Sequence, residues 1–416
     1  MKEIKQTLKK QFLKDNRPWV VTFSGGKDST VVLQLVMEML LEIPNHKDVY
    51  IVSSDTYVEM PIIENYLYNT IQKIKKFVSE KNLNIKVNLI TPDFQESFWS
   101  LLIGKGYPSP NKNFRWCTDR LKIRPTTKFL LDLVGKYESI IMLLGVRKAE
   151  SETRAKSIEK RENNHRDLSM HDQIPNAYIL SPIKNWTNEE VWSFLANNPA
   201  PWGNHTTLMK LYDKGSGEAD CNIALNPESE SCGKTRFGCW VCTVVNKDKS
   251  MEGMIESGEE WMKPLNKFRD KLKNYRDDET KRETRRRNGY KGLGPFLFEI
   301  RKEFLDELLS IEKEINHQLI KDGEIIQIQK YWDFDGDIQN SAINIAKKYN
   351  RLMEYEIEND ILNFLQEYKN EVNIDLFARL YEIEKQRKNS ANRYGIIPEI
   401  KNRAINYFKR EYNETN

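Results

Sequence analysis

The stretch Ser24-Gly25-Gly26-Lys27-Asp28-Ser29 decides how the first half of this chain is read. It lies between the β-rich run Trp19-Val20-Val21-Thr22-Phe23 and an apolar helical pattern that starts near Thr30. Two glycines let the backbone approach an anion closely, a helix N-terminus offers unpaired N–H groups, and Lys27 adds a point charge. The spacing is neither G-x-x-x-x-G-K-[ST] nor G-x-G-x-x-G. A turn that only joined a strand to a helix would have no need of Lys, Asp and two Ser around it. Ser24, Gly25, Gly26, Lys27, Asp28 and Ser29 are therefore candidate phosphate-binding residues. Asp28 is the candidate for Mg2+, which takes few carboxylates and shares the rest of its shell with phosphate oxygens and water.

Outward from this loop, short β-rich runs alternate with helical stretches. Strands are expected at Trp19–Phe23, Val49–Ser53, Ile85–Ile90, Ser139–Leu144 and Tyr178–Ser181, and helices at Thr30–Ile43, Pro61–Lys81, Thr126–Val134 and Asn188–Asn197. The last opens on Thr187-Asn188-Glu189-Glu190, a capping-box pattern. This order predicts an α/β fold, a parallel sheet with helices on both faces. Ligands of such sheets sit beyond the carboxyl ends of the strands. That rule brings in Gly145-Val146-Arg147, with Arg154 further on, whose guanidinium groups would stabilise departing pyrophosphate; the bland alternative is a solvated helix start. It also brings in Asp55, placed to touch ribose, help hold magnesium, or cap the next turn. Residues 154–176 are polar and read as an exposed insertion.

The chain has 416 residues, a net charge of +4 and five cysteines. Its length allows two or more domains, and its charge alone announces no nucleic-acid partner. The charged start Met1-Lys2-Glu3-Ile4-Lys5 and the lack of a membrane-length apolar run point to the cytoplasm and to reduced thiols. An odd cysteine count there favours metal or redox chemistry over disulfides. Three parts are expected: 1–200 around the loop, 201–250 rich in Gly, Pro and Cys and organised by a cofactor, and 251–416 helical, with Phe304, Leu305, Leu308, Leu309 and Ile311 on one face. Asp333-Phe334-Asp335-Gly336-Asp337 imitates a calcium loop, but its Gly comes too early and the distal Glu is missing.

The order S-G-G-x-D-S resembles the PP-loop of the ATP pyrophosphatases, which cleave ATP between the α and β phosphates. Trp116-Cys117-Thr118-Asp119-Arg120-Leu121-Lys122-Ile123-Arg124-Pro125 resembles the C-C-x-x-R-K-x-x-P region of adenylylsulfate and phosphoadenylylsulfate reductases, and Asp55-Thr56 with Glu59 and Pro61, the 145–154 cluster and Pro182-Ile183 follow in the same order. Two departures stand out: Trp116 replaces the first paired cysteine, and no Cys follows Cys242, so the terminal thiol of those reductases is missing. The five-cysteine arrangement and Gly289-Tyr290-Lys291-Gly292-Leu293-Gly294-Pro295-Phe296 are similar instead to the DndC-type sulfurtransferases of DNA phosphorothioation. That resemblance implies replacement of a non-bridging DNA oxygen by sulfur, with ATP consumed and a 4Fe-4S cluster bound. Its implied partners are DNA, a cysteine desulfurase as sulfur donor, and the companion proteins DndD and DndE.

Cys221, Cys232, Cys239 and Cys242 lie within about two dozen residues, with only the last two in a C-x-x-C pair. Four such thiolates suit either a 4Fe-4S cluster or a tetrahedral zinc, and the resemblance favours iron–sulfur. Cys117 is then left over. Beside Arg115, Arg120, Lys122 and Arg124 its pKa is expected to fall, which suits a sulfur carrier; in the iron–sulfur reductases the corresponding cysteine is a ligand. Lys281, Arg282, Arg285, Arg286 and Arg287 form a basic run fit to neutralise DNA phosphates, or an ordinary solvated face. Lys27, Asp28, Arg147 and Cys117 are thus the expected catalytic residues. A tRNA thiolase and a non-catalytic, ATP-gated DNA scaffold stand as alternatives.

Overall fold

The computed structural model describes residues 2–355 except 44–46, 151–154, 157, 160–167, 217–236, 287–289 and 338, and a few positions beyond 355. Arg154, Cys221, Cys232, Arg287 and most of the 154–167 stretch lie outside the described residues. The chain forms two compact units, one of residues 1–93 and 110–270, the other of 94–109 and 271–416.

In the first unit the strands are β1 (Trp19–Thr22), β2 (Val49–Ser54), β3 (Ile85–Ile90), β4 (Ile140–Leu143), β5 (Ser169–Met170) and β6 (Ala177–Leu180). They form a single sheet in the order β3-β2-β1-β4-β6-β5, parallel throughout except for β5 against β6. Alternation along the strands explains why both faces are covered. Trp19, Val21, Val49, Ile51, Ile141 and Leu143 join one apolar core, while Val20, Tyr50, Val52, Ile140 and Met142 join the other. Successive side chains of a strand point to opposite faces, so runs that are apolar at every position demand helices on both sides.

The helices described in this unit include α1 (Lys2–Leu13), α2 (Lys27–Glu42), α3 (Pro61–Glu80), α4 (Arg124–Tyr137), α5 (Asn188–Asn197), α6 (Thr206–Ser216) and α7 (Lys249–Glu256). The predicted capping box of α5 is present, with Thr187 Oγ1 accepting from the Glu190 N–H at 3.2 Å. Two local expectations change. Helix α2 begins at Lys27, so the Lys-Asp-Ser of the glycine loop is its first turn. Helix α6 lies inside the stretch read as rich in Gly, Pro and Cys, and Leu208, Leu211 and Tyr212 make its buried stripe.

A further helix, α8 (Lys263–Asp277), spans the division between the units, which therefore falls later than the change in composition near Met251. The second unit contains α9 (Phe298–Ile315), α10 (Asp322–Asp335) and α11 (Ser341–Lys348). Its core includes the predicted Phe304, Leu305, Leu308, Leu309 and Ile311, and also Phe98, Trp99, Leu101, Leu102 and Ile103 from the earlier stretch. The Trp99 indole donates to the Leu319 carbonyl at 2.9 Å, and the Trp332 indole to that of Ile103 at 3.1 Å. The acidic Asp333–Asp337 stretch is a helix connection: Gly336 ends α10 at φ +99, and Asp337 accepts from the Ser341 N–H at 2.7 Å.

Candidate active site

Reversal of strand order around β1 and β4 sets the site. β1 neighbours both β2 and β4, and the loops leaving β1 and β4 open side by side, where ligands of open α/β sheets bind. Gly25 takes φ +74, a conformation that glycine adopts without strain. Ser29 Oγ lies 3.0 Å from Ser24 Oγ, accepts from the Ser24 N–H at 3.2 Å and reaches the Gly26 carbonyl at 3.0 Å, so the two serines close the turn. No side chain caps α2. Instead, the Lys27 N–H points to the Tyr212 hydroxyl at 3.4 Å.

The second loop meets the first backbone to backbone. A Cβ on Gly145 would lie 2.8 Å from the Asp28 carbonyl, so only glycine fits there. Arg147, 3% exposed, donates from Nε to Asp28 Oδ1 at 2.5 Å and from Nη1 to the Trp186 carbonyl at 3.3 Å. Lys27 Nζ stands 3.5 Å from Asp28 Oδ2 and 5.3 Å from the centre of the Tyr212 ring. Burial pulls the Lys27 pKa down; Asp28 opposes the shift and Arg147 adds to it. Two cations thus share one carboxylate in a place prepared for more negative charge.

Asp55 does not join them. It is 1% exposed, and its carboxylate accepts from the Tyr57 N–H at 2.8 Å and the Tyr68 hydroxyl at 2.6 Å. It holds the turn after β2, where Tyr57 sits at φ 64, while Ser54 is the cleft-lining residue of that strand end. The ribose or magnesium role expected for Asp55 gives way to the turn-capping one.

A cleft of about 1120 Å³ runs from this loop to a second chemical group. Its lining includes Ser24–Ser29, Gly145–Arg147, Asn188 and Tyr212, and also Glu59, Lys122 and Thr126. Lys122 Nζ is 3.4 Å from Glu59 Oε1. Glu59 pairs by an antiparallel bridge with Cys239, and the next residue, Trp240, donates its N–H to the Val58 carbonyl at 3.1 Å. Cys242 closes the turn, its N–H bonded to the Cys239 carbonyl at 3.0 Å, and Thr56 Oγ1 lies 3.6 Å from Cys239 Sγ.

Cys117, on the helical turn Trp116–Thr118, belongs to the same group. Burial pushes its thiol pKa up and Cys242 adds to the rise, which corrects the expected fall. The reason lies in the partners of the basic residues. Arg124 is 2.8 Å and Arg120 3.8 Å from Asp119, and Lys122 is tied to Glu59. Cys239 is pushed up to about 12, first by burial, then by Glu59, with Cys117 contributing. Burial works against the Lys122 ammonium, but Cys239, Glu59 and Cys117 outweigh it and its pKa rises. Among the described residues no three His, Cys, Asp or Glu side chains stand arranged to hold a metal ion. Cys117 lies within electrostatic reach of both Cys239 and Cys242.

Residues 18–245 match the phosphoadenosine phosphosulfate reductase domain, more than half of the chain. The chain belongs to that family. An uncharacterized protein of Methanocaldococcus jannaschii is 31% identical over 215 residues, 51% of this chain and 37% of that protein. The adenosine 5'-phosphosulfate reductase of Salinibacter ruber is 25% identical over 150 residues, 36% of this chain and 50% of the other. The chain therefore spans half or less of the length of these curated relatives. Among solved structures, the U34-tRNA thiolase NcsA of Methanococcus maripaludis with its 4Fe-4S cluster aligns with a TM-score of 0.29 at 14% identity, covering 66% of this chain and 78% of that one.

The reductase-family domain thus brings together Ser24–Ser29, Gly145 and Arg147 at one end of a cleft, with Cys117, Cys239 and Cys242 beside Glu59 and Lys122 at the other. Sequence reading missed Tyr212, which looks like any buried residue of an amphipathic helix. It also missed Asp119 as the neutralising partner of Arg124. Among the described residues no helix is long and apolar enough to cross a membrane.

Proposed function

We propose that this chain is a DndC-type ATP pyrophosphatase and sulfurtransferase that places sulfur on the DNA backbone. The observation that carries the reading is the single cleft, with an anion cradle at one end and the Glu59–Lys122 pair, bonded to the cysteine turn, at the other. A non-bridging oxygen of a DNA phosphodiester attacks the α-phosphorus of ATP, the bond to the β-phosphate oxygen breaks, and pyrophosphate leaves. Sulfur at the hydrosulfide level then attacks the diester phosphorus, the P–O bond to AMP breaks, and AMP and a proton are released. Activation is needed because a diester anion repels nucleophiles and its own oxygen leaves badly.

Each residue has a defined task. The α2 N-terminus and Lys27 bind the phosphates, and Arg147 is poised to follow charge onto pyrophosphate. Asp28 is already held by Arg147, so Mg2+ would ride chiefly on phosphate oxygens and water. Cys239 and Cys242 would hold a 4Fe-4S cluster with further thiols drawn from Cys117, Cys221 and Cys232, gathered around the metal as it binds. Bound there, the cluster supplies a place for sulfur close to the activated phosphate. A cysteine desulfurase would deliver that sulfur as a persulfide, which two equivalents of a thiol reductant cleave to hydrosulfide while forming their own disulfide, and DndD and DndE would present the DNA.

The test is anaerobic incubation of the reconstituted protein with ATP, DNA, sulfide and these companions. Equal AMP and pyrophosphate, with phosphorothioate found by mass spectrometry of nuclease-digested DNA, is the expected result. ADP as the sole nucleotide product overturns the reading. Sulfur found only in tRNA supplied in parallel replaces it with the thiolase, and nucleic-acid binding without pyrophosphate release replaces it with the scaffold.

A further inference from the structure

Residues 281–286 of the basic run and residues 290–296 of the glycine-rich segment pair as two antiparallel strands. Arg282 bridges to Phe296 and Arg285 to Lys291, both antiparallel. The Gly294 N–H donates to the Glu283 carbonyl at 2.7 Å, the Gly292 N–H to that of Thr284 at 3.0 Å, and the Arg286 N–H to that of Tyr290 at 2.9 Å. The strands approach so closely that a Cβ on Gly294 would lie 1.9 Å from the Arg285 carbonyl oxygen. Glycine there is a requirement of the pairing.

The cations of the run divide into two kinds. Arg282, 5% exposed, donates from Nε to the Gly294 carbonyl at 2.6 Å and from Nη1 to the Arg276 carbonyl at 2.6 Å, over the Phe296 ring at 5.0 Å. It frames the base of the hairpin, buried away from any phosphate in solution. Towards the tip, Arg285, Arg286, Lys291 and Tyr290 are exposed, Tyr290 by 73%. The Arg286 guanidinium lies across Gly292, whose missing side chain leaves it room. Glu283 sits half-buried at the base, and residues 284–298 contain no Asp or Glu. A solvated charged face normally mixes signs, whereas this tip carries one sign only.

We propose that this hairpin is a grip for the sugar-phosphate backbone of nucleic acid, an inference that rests on the reading of DNA as substrate. Arg285, Arg286 and Lys291 neutralise phosphates, and the Tyr290 ring packs on sugar or on an unstacked base. A two-stranded ribbon is also of a size that a DNA groove admits. Phosphate contacts carry no sequence information, so the grip positions the strand without choosing the site.

Fluorescence anisotropy of the full chain with labelled duplex DNA, and with tRNA in parallel, tests this over a salt series. The combined variant Arg285→Ala, Arg286→Ala and Lys291→Ala should lose at least tenfold in affinity at low salt. Its slope of log affinity against log salt should be shallower by about 2 to 3, near one counterion per contact. Arg285→Lys with Arg286→Lys should keep the wild-type slope, and ATP binding by the triple variant should be unchanged. A triple variant with wild-type affinity and slope overturns the grip. Loss of tRNA binding alone upholds the grip and moves its occupant from DNA to RNA. Normal DNA binding without phosphorothioate formation overturns the proposed function and leaves the grip standing.

Discussion

The two ends of the cleft are built in opposite ways. At the phosphate end, six consecutive residues make the turn, and its long-range partners include Gly145 against the Asp28 backbone, Arg147 on the Asp28 carboxylate and Tyr212 on the Lys27 N–H. At the thiol end, Thr56 and Glu59, Cys117 and Lys122, and Cys239 and Cys242 come from three separate segments, joined by a backbone bridge and an ion pair. The first is dictated locally by glycine conformation and a helix N-terminus; the second exists only once the sheet has folded. Damage to the first should therefore be confined to nucleotide chemistry, while damage to the second should take the metal and leave the phosphate loop folded.

The largest effect follows from removing charge at the phosphate end. Lys27→Ala or Asp28→Ala is expected to lower AMP and pyrophosphate production by on the order of 10²–10³, as for loss of one preorganised transition-state contact. The visible absorption of the cluster should persist in both variants. Loss of that absorption together with ATP cleavage would show that the two ends are one structural unit.

At the other end, Cys239→Ala should abolish cluster absorption while nucleotide binding stays within a few-fold of wild type. Cys117→Ser sharpens the comparison, because its position with Cys239 and Cys242 predicts loss of the cluster too. A Cys117→Ser protein with a full cluster but no sulfur transfer would return Cys117 to the role of a free carrier. The measurements are iron and sulfide content with the ultraviolet-visible spectrum, prepared anaerobically.

These expectations track what the sequence could disclose. The sheet was legible because a parallel strand covered on both faces is apolar at every position, as in Trp19–Val21 and Val49–Val52. The phosphate loop was legible because its geometry needs glycine at Gly25. The thiol end was not, since nothing in the spacing of Cys117 announces a turn bridged to Glu59 some way upstream. The field around Cys117 was misjudged because its cations are adjacent in sequence, whereas Asp119 neutralises Arg124 through side-chain geometry. Asp55 misled for the same reason: its position at a strand end is functional by rule, yet Tyr68, from a helix, claims it.

A smaller effect is expected at Gly145. With a Cβ 2.8 Å from the Asp28 carbonyl, Gly145→Ala must push the two loops apart. Stability should fall by about 1–3 kcal/mol, the usual cost of overpacking, seen as a lower denaturation midpoint. ATP cleavage should fall with it, because Arg147 follows Gly145 in the chain. Unchanged stability would mean that the loops are not held together, and the local picture of the phosphate end would fail.

Tyr212→Phe gives the smallest change and the finest test of how the phosphate end waits for its ligand. The Tyr212 hydroxyl takes the Lys27 N–H, one of the donors an anion would use. Phenylalanine keeps the ring, with its edge contacts to Trp192 at 4.9 Å and Phe237 at 5.0 Å and its place beneath the Lys27 ammonium. Only the acceptor is lost, a change of about 0.5–1.5 kcal/mol in the free protein. If phosphate and the hydroxyl compete for this donor, removal of the hydroxyl penalises the nucleotide-free protein alone. Affinity for a non-hydrolysable ATP analogue, measured by calorimetry, should then rise by about two- to tenfold while thermal stability drops. Weaker binding would place the hydroxyl on the nucleotide itself and make Tyr212 a ligand of ATP instead of its stand-in.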